Sequence, residues 1–190
     1  MTAAIVLGGG RASRLDGADK ASIMVDGVRL VDHVFAALAD CRQVVAVGPD
    51  TLDRPGVTVL REDPPFGGPV AGIAAAMQAV EGDDVWVMAC DLPRANEIVQ
   101  RLSDEPIGDD DAVIMVDAAG RAQWLAGRYR TAALRSALTR IGDPHGASMR
   151  QLVDGLKLRA VHDHTGSTTD LDTWAEVADY RLRTKGTTHD

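Results

Sequence analysis

Cysteine is scarce in this chain, and so is net positive charge. Two cysteines, Cys41 and Cys90, occur in 190 residues. They form no metal-ligand spacing, and one disulfide would be little for a chain this long, so both read as reduced thiols of a cytoplasmic protein. The formal net charge of −8 excludes broad attraction to nucleic acid or to an anionic membrane surface. No apolar run approaches the ~20 residues of a membrane span, and the N-terminus lacks a signal-peptide layout. What is present is ordinary for a soluble globular protein: 45% hydrophobic and 25% charged residues, with enough length for a real core. We read residues 1–183 as one domain and 184–190 as a polar, frayed tail.

The most informative stretch is Ala4 to Lys20. A short apolar run, Ala3 to Leu7, has the character of a buried strand. Gly8, Gly9 and Gly10 then end it, and glycine lets a loop turn sharply and bring backbone N–H groups close to a ligand. Arg11, Arg14 and Lys20 follow, supplying fixed positive charge. Amide donors and cations after a strand are what a phosphate-binding corner needs. A P-loop is excluded, because the loop has no Gly-Lys pair followed by Ser or Thr. The dinucleotide fingerprint is incomplete, since Gly8-x-Gly10-x-x-Ser13 lacks its third glycine. Asp50, just past the second strand, keeps an oxidoreductase reading open.

Periodicity along the rest of the chain alternates strands with helices. Strands are expected over Ala21–Val25, Val44–Val47, Val57–Leu60, Val85–Cys90, Ala112–Val116, Gln123–Tyr129 and Leu158–Val161. Helices are expected from Leu30 to about Asp40, Ile73–Val80, Ala95–Leu102, Thr131 (as its cap) to about Ile141, Ala147–Val153 and Thr173 to about Arg183. A second glycine-rich loop, Phe66 to Gly72, precedes the second helix with Pro69 near its start. Trp86 and Trp174 read as core. The alternation implies an α/β fold in three layers, a mostly parallel sheet with helices on both faces, Rossmann-like in kind. Ligands of such sheets sit beyond the carboxyl ends of the strands. The first glycine loop, Asp63, Asp91, Asp170 and Asp172 all follow strands.

The spacing from Gly9-Gly10 through Arg14 to Lys20 resembles the signature of the MobA-like nucleotidyltransferases, which include the molybdenum cofactor guanylyltransferases. Further segments extend the likeness: Glu62-Asp63 with Gly68-Pro69-Val70-Ala71-Gly72, Asp91-Leu92-Pro93, Gln123 to Arg130, Gly146 to Arg150, and Asp170-Leu171-Asp172-Thr173. The resemblance implies transfer of a nucleoside monophosphate, GMP from GTP, to a phosphorylated small-molecule acceptor such as molybdopterin carrying molybdenum, with pyrophosphate released. It also implies Mg²⁺ as cofactor and contact with other proteins of cofactor biosynthesis. Site roles carry over residue by residue. Arg14, Lys20 and Asp91 are the catalytic candidates. Leu7, Gly8, Gly9, Gly10, Asp63, Gly68 and Gly72 join them in holding the nucleotide. Gln123, Arg150 and Asp170 are candidates for the acceptor, and Asp91 and Asp172 for the metal.

Each assignment has a plainer competitor. Asp91 before Leu92-Pro93 also suits a helix N-cap, Lys20 a solvated surface lysine, and Asp172 a cap beside Thr173. The second glycine loop could serve helix–sheet packing alone. His162-x-His164 alternates on one strand face, but a metal site would need a third ligand. Three features depart from the family pattern: Leu15-Asp16 replaces Met-Gly, Gly48 stands where an Asn often contacts nucleotide, and Asp occupies both late Asn positions. CTP or a sugar phosphate in place of GTP or molybdopterin, and nucleotide binding without turnover, complete the alternatives.

Overall fold

Strand β1, Thr2–Leu7, is apolar at every position from Ala3 to Leu7 and is buried on both faces. Ala3, Ile5 and Leu7 enter one hydrophobic cluster, while Ala4 and Val6 enter another. That division follows from the two-residue alternation of a strand, and it makes β1 the seam between two cores. The structure, a computed structural model, describes residues 2–9, 20–171 and 173–186, and side chains in the last helix as far as 180.

After β1 come a 3₁₀ turn at Lys20–Ser22, β2 (Met24–Val25), β3 (Val28–Arg29) and α1 (Leu30–Ala37). Then follow β4 (Gln43–Val47), β5 (Val57–Leu60), α2 (Pro69–Ala76), β6 (Asp84–Ala89), α3 (Ala95–Ser103) and β7 (Ala112–Val116). The chain continues with β8 (Ala122–Arg130), α4 (Thr131–Ile141), α5 (Met149–Val153), β9 (Leu158–His162) and α6 (Trp174–Gly186). Seven strands form one sheet in the order β5-β4-β1-β6-β8-β7-β9. All run parallel except β8, which is antiparallel to both neighbours. One core packs α2, α4 and α5 on the sheet through Val70, Ile73, Leu134, Ala137 and Leu152. The other packs α1 and α3 through Val31, Val34, Leu38, Ile98 and Leu102. This is the three-layer α/β architecture that the alternation implies.

Several local expectations are corrected. Ala21–Val25 is not one strand: a 3₁₀ turn takes its first part, and Met24–Val25 pairs only with Val28–Arg29 in a separate ribbon. Helix α2 spans Pro69–Ala76 rather than Ile73–Val80. Gly68 at φ 88 turns the chain, and the fixed φ of Pro69 opens the helix four residues early. Beyond Ala76 the bonding is mixed: the N–H groups of Gln78 and Ala79 donate three residues back, to Ala75 and Ala76, while that of Val80 donates four back, to Ala76. Thr131 does not cap α4; it is the first helical residue, and its buried hydroxyl has no hydrogen-bond partner. Ser148 shortens α5 to Met149–Val153 by capping it through a reciprocal box with Gln151. Helix α6 runs on to Gly186, into the segment expected as tail, while residues 187–190 lie outside the described ones. Trp86 is buried, but Trp174 is 47% exposed and is not core.

Candidate active site

The carboxyl ends of β1, β4 and β6 meet at one point, and backbone bonding fixes their heights. Leu7 is level with Val47 on one side and Ala89 on the other. The Gly8 N–H donates to the Val47 carbonyl at 2.8 Å, and the Cys90 N–H donates to the Leu7 carbonyl at 3.1 Å. The parallel ladder therefore continues one residue past the strands, and Asp91 emerges beside Gly9. Among the described residues the Gly9 N–H has no backbone acceptor.

Asp91 is buried to 8% exposure, and its Oδ2 accepts from the Lys20 ammonium at 3.1 Å. Lys20 opens the 3₁₀ turn that follows the glycine loop, and that turn packs against α1. A lysine and a carboxylate 71 positions apart in sequence are thus brought together over the ends of β1 and β6. Both competing readings fail here. Lys20 is not a solvated surface lysine. Nor does Asp91 cap α3, whose N-cap position is Arg94 and carries no side-chain cap bond. Gly10, Arg14 and Asp172 lie outside the described residues.

Gly48 explains one departure from the family pattern. A Cβ at this position would stand 2.8 Å from Leu52 Cδ1, 2.9 Å from the Gly8 carbonyl carbon and 3.1 Å from the Gly9 nitrogen, at a φ of +155. A side chain here would collide with the backbone of the first glycine loop itself. Gly8 has the same neighbour, since its own Cβ would meet Leu52 Cδ1 at 2.6 Å.

The second glycine loop sits beside the first. Glu62 accepts the Phe66 N–H at 3.2 Å, and the same oxygen, Oε1, lies 4.0 Å from where a Cβ on Gly9 would be. The Gly67 carbonyl accepts from the Gly146 N–H at 2.8 Å, tying in the loop before α5. Asp63 is exposed and lines a cleft of about 340 Å³ with Glu62, Asp143 and His145. Gly68 is exposed at the head of α2. Two residues expected at the nucleotide are packed into the fold. Gly72 is buried inside α2, its N–H bonded to the Gly68 carbonyl and its missing side chain letting the helix approach Leu7, whose Cδ2 would be 3.1 Å from a Cβ. Leu7 turns its side chain into the core, and its carbonyl is taken by Cys90.

Farther along the same sheet edge, β8 begins where β7 ends. Its register slips between Ile114 and Met115, so that Met115 pairs with Gln123 and Ile114 with Gly127. Gln123 donates from Nε2 to Asp117 Oδ2 at 2.9 Å, and Asp117 also accepts from Arg121 and from the Ala119 and Arg121 backbone. Next to it, Asp163 is buried and accepts from the backbone and hydroxyl groups of Thr165 and Thr168. Burial alone would push its pKa up, but donors from Thr168, Thr165 and Ser167 outweigh this and hold the carboxyl well below the ordinary range. A cleft of about 570 Å³ opens here, lined by Asp117, Gly120, His162, Asp163, His164 and Gly166. The exposed rings of His162 and His164 stack at 6.4 Å. Arg150 and Asp170 are exposed, on α5 and on the loop after β9.

Of the residues the sequence singles out, the structure brings Lys20 and Asp91 into contact at the end of β1, beside Gly8 and Gly9. Asp117 and Asp163 are not among them, and Glu62 enters only as part of the Glu62-Asp63 segment. Asp163 carries a detectable signal, an Asp followed at short range by threonines, which marks a side-chain-to-backbone turn. Asp117 carries none, and the bond of Glu62 to the Phe66 N–H is set by loop packing.

Asp91 offers a buried carboxylate at this corner, and no group of three or more metal-ligating side chains occurs among the described residues. Such a donor set does not form a protein cage. It suits Mg²⁺, which takes one or two carboxylates and completes its shell with substrate phosphates and water.

Comparison with known proteins agrees with this geometry. A probable molybdenum cofactor guanylyltransferase of Clostridium perfringens is 28% identical over 130 residues, which is 67% of this chain and 65% of that relative. The chain thus matches just under two thirds of that relative's length. Among solved structures, a nucleotidyl transferase from Methanothermobacter thermautotroptrophicus superposes with a TM-score of 0.78 at 19% identity, covering 99% of each chain. Molybdopterin-guanine dinucleotide biosynthesis protein A from Archaeoglobus fulgidus gives a TM-score of 0.73 at 18% identity, over 98% of this chain and all of that one. At those identities the structures show a shared fold. The family model for the MobA-like NTP transferase domain matches residues 4–161, from the first buried strand almost to the end of the last, and the chain belongs to that family.

Proposed function

We propose that this chain is a nucleotidyltransferase, moving GMP from GTP to a phosphorylated acceptor, molybdopterin carrying molybdenum, and releasing pyrophosphate. The observation that carries the reading is the Lys20–Asp91 pair, 3.1 Å apart at the mouth formed by β1 and β6. Nucleotidyl transfer joins two anions, so the protein's work is neutralising charge and lining up the reactants. Lys20 supplies a point charge to the triphosphate, and Arg14 a planar fork for the β- and γ-phosphates. The amide of Gly9 donates to a phosphate oxygen. Asp91 would hold Mg²⁺, with Asp172 as a further candidate carboxylate. The ion, when bound, neutralises phosphate charge and polarises the α-phosphorus. Attack of an acceptor phosphate oxygen forms the new P–O bond in line as the bond to pyrophosphate breaks, and the electron pair leaves with pyrophosphate.

The nucleoside is read at the second loop, by Asp63 and the backbone around Gly68. The acceptor lies along the edge toward Gln123, Asp170 and Arg150. Thermal-shift measurements with each of the four nucleoside triphosphates, with and without Mg²⁺, test the proposal. GTP with Mg²⁺ is expected to give the largest rise, and no rise with any of the four would refute it.

A further inference from the structure

Phe66 is an aromatic residue that neither core uses. It stands 66% exposed in the turn between β5 and α2. Its φ is +65, in the left-handed region that bulky residues rarely adopt. Such a conformation persists where the surroundings fix it, and it concentrates at ligand-holding positions. Here two ties fix it. The Phe66 N–H is held by Glu62 Oε1 at 3.2 Å, and the adjoining Gly67 carbonyl is held by Gly146 at 2.8 Å. Gly67 itself has no room for a side chain, since a Cβ would stand 2.6 Å from Ala71 Cβ and 3.0 Å from His145 Nδ1. The turn thus packs closely on α2 at Ala71. Glu62 also reaches the first glycine loop, 4.0 Å from a Cβ position on Gly9. The turn bearing the phenyl ring therefore stands beside the corner proposed to hold the phosphates.

An aromatic ring with two side-chain torsions on an immobilised backbone makes a stacking platform at little entropic cost. We propose that Phe66 stacks on the base of the bound nucleoside triphosphate and is a base-binding residue of this site. The assignment rests on the nucleotidyltransferase reading and deepens it. Every base has a π face, so Phe66 adds affinity without choosing among bases by hydrogen bonds. Selectivity is then left to the groups at the base edge.

Isothermal titration calorimetry of F66A, F66G and F66W against GTP and against inorganic tripolyphosphate, all with Mg²⁺, tests this. F66A is expected to bind GTP about tenfold or more weakly than the wild type and tripolyphosphate equally well. F66G, which relieves the left-handed backbone, is expected to be more thermally stable and to show the same loss for GTP. F66W is expected to retain GTP affinity. Wild-type affinity for GTP in both F66A and F66G overturns the assignment, as does an equal loss for tripolyphosphate, which would mean that the turn and not the ring was damaged. If the wild type binds none of the four nucleoside triphosphates, the proposed function falls and the assignment with it.

Discussion

The ion pair of Lys20 and Asp91 places opposite charges where a metal-bound triphosphate would need them, one for the phosphates and one for the cation. Replacing Asp91 with Ala or Asn is expected to lower pyrophosphate release by about a thousandfold or more, since it removes several kcal/mol of charge stabilisation. Because Asp91 caps no helix, the melting temperature should shift by only a few degrees. A pyrophosphate-release assay beside a thermal melt separates the two effects. Asp163 predicts the reverse: its bonds to Thr165 and Thr168 hold a loop. D163N should cost about 1–3 kcal/mol of stability at neutral pH, the value for leaving buried donors without their charged acceptor. The folded carboxyl titrates below its unfolded value of about 4. Its contribution is therefore complete above that pH and is lost as pH falls through the lower folded value. Chemical denaturation between pH 7 and pH 2.5 should show the gap between wild type and D163N narrowing only below about pH 4.

At the scale of elements, small residues set how closely backbones approach. G48A forces a Cβ to within 2.9 Å of the Gly8 backbone. A strained φ compounds this, so the substitution should cost about 2 kcal/mol or more. It should also weaken nucleotide binding, because what moves is the phosphate corner; calorimetry on the folded fraction checks this. Helix α4 gives a sharper test. If Thr131 capped the helix, removing its hydroxyl would cost about 1 kcal/mol. The hydroxyl is instead buried without a partner, so T131V should leave stability unchanged or raise it, as equilibrium unfolding would show. Strong periodicity made nearly every strand and helix legible. The ends were less so: Pro69, Ser148 and the 3₁₀ turn at Lys20 each act through one residue's torsion or cap, which hydrophobic pattern does not register.

For the whole molecule, a ligand that binds only the folded state stabilises it by mass action. At a GTP concentration one hundred times its Kd the gain is about 2.7 kcal/mol, a rise in Tm of roughly 5–10 °C for a chain of this size. A rise that needs Mg²⁺ in the wild type and is lost in D91A is expected if Asp91 and the nucleotide bind the ion jointly. No described helix is long and apolar enough to cross a membrane. Neither cysteine is in a disulfide, and burial, then the charge of Asp40, pushes the Cys41 thiol up to about 11, so it stays protonated at neutral pH.

The sequence alone determined the strands, their alternation with helices and the glycine corner. Those features follow from hydrophobic period and from the torsional freedom of glycine, which are local properties. It also named Lys20 and Asp91, through motif spacing. Only the tertiary structure decided that Asp91 faces Lys20 and not a helix end, that Gly72 is packing, and that Gly48 must lack a side chain. Each of these depends on the distance between segments far apart in the chain, which is set by strand order and register rather than by the residues' own preferences.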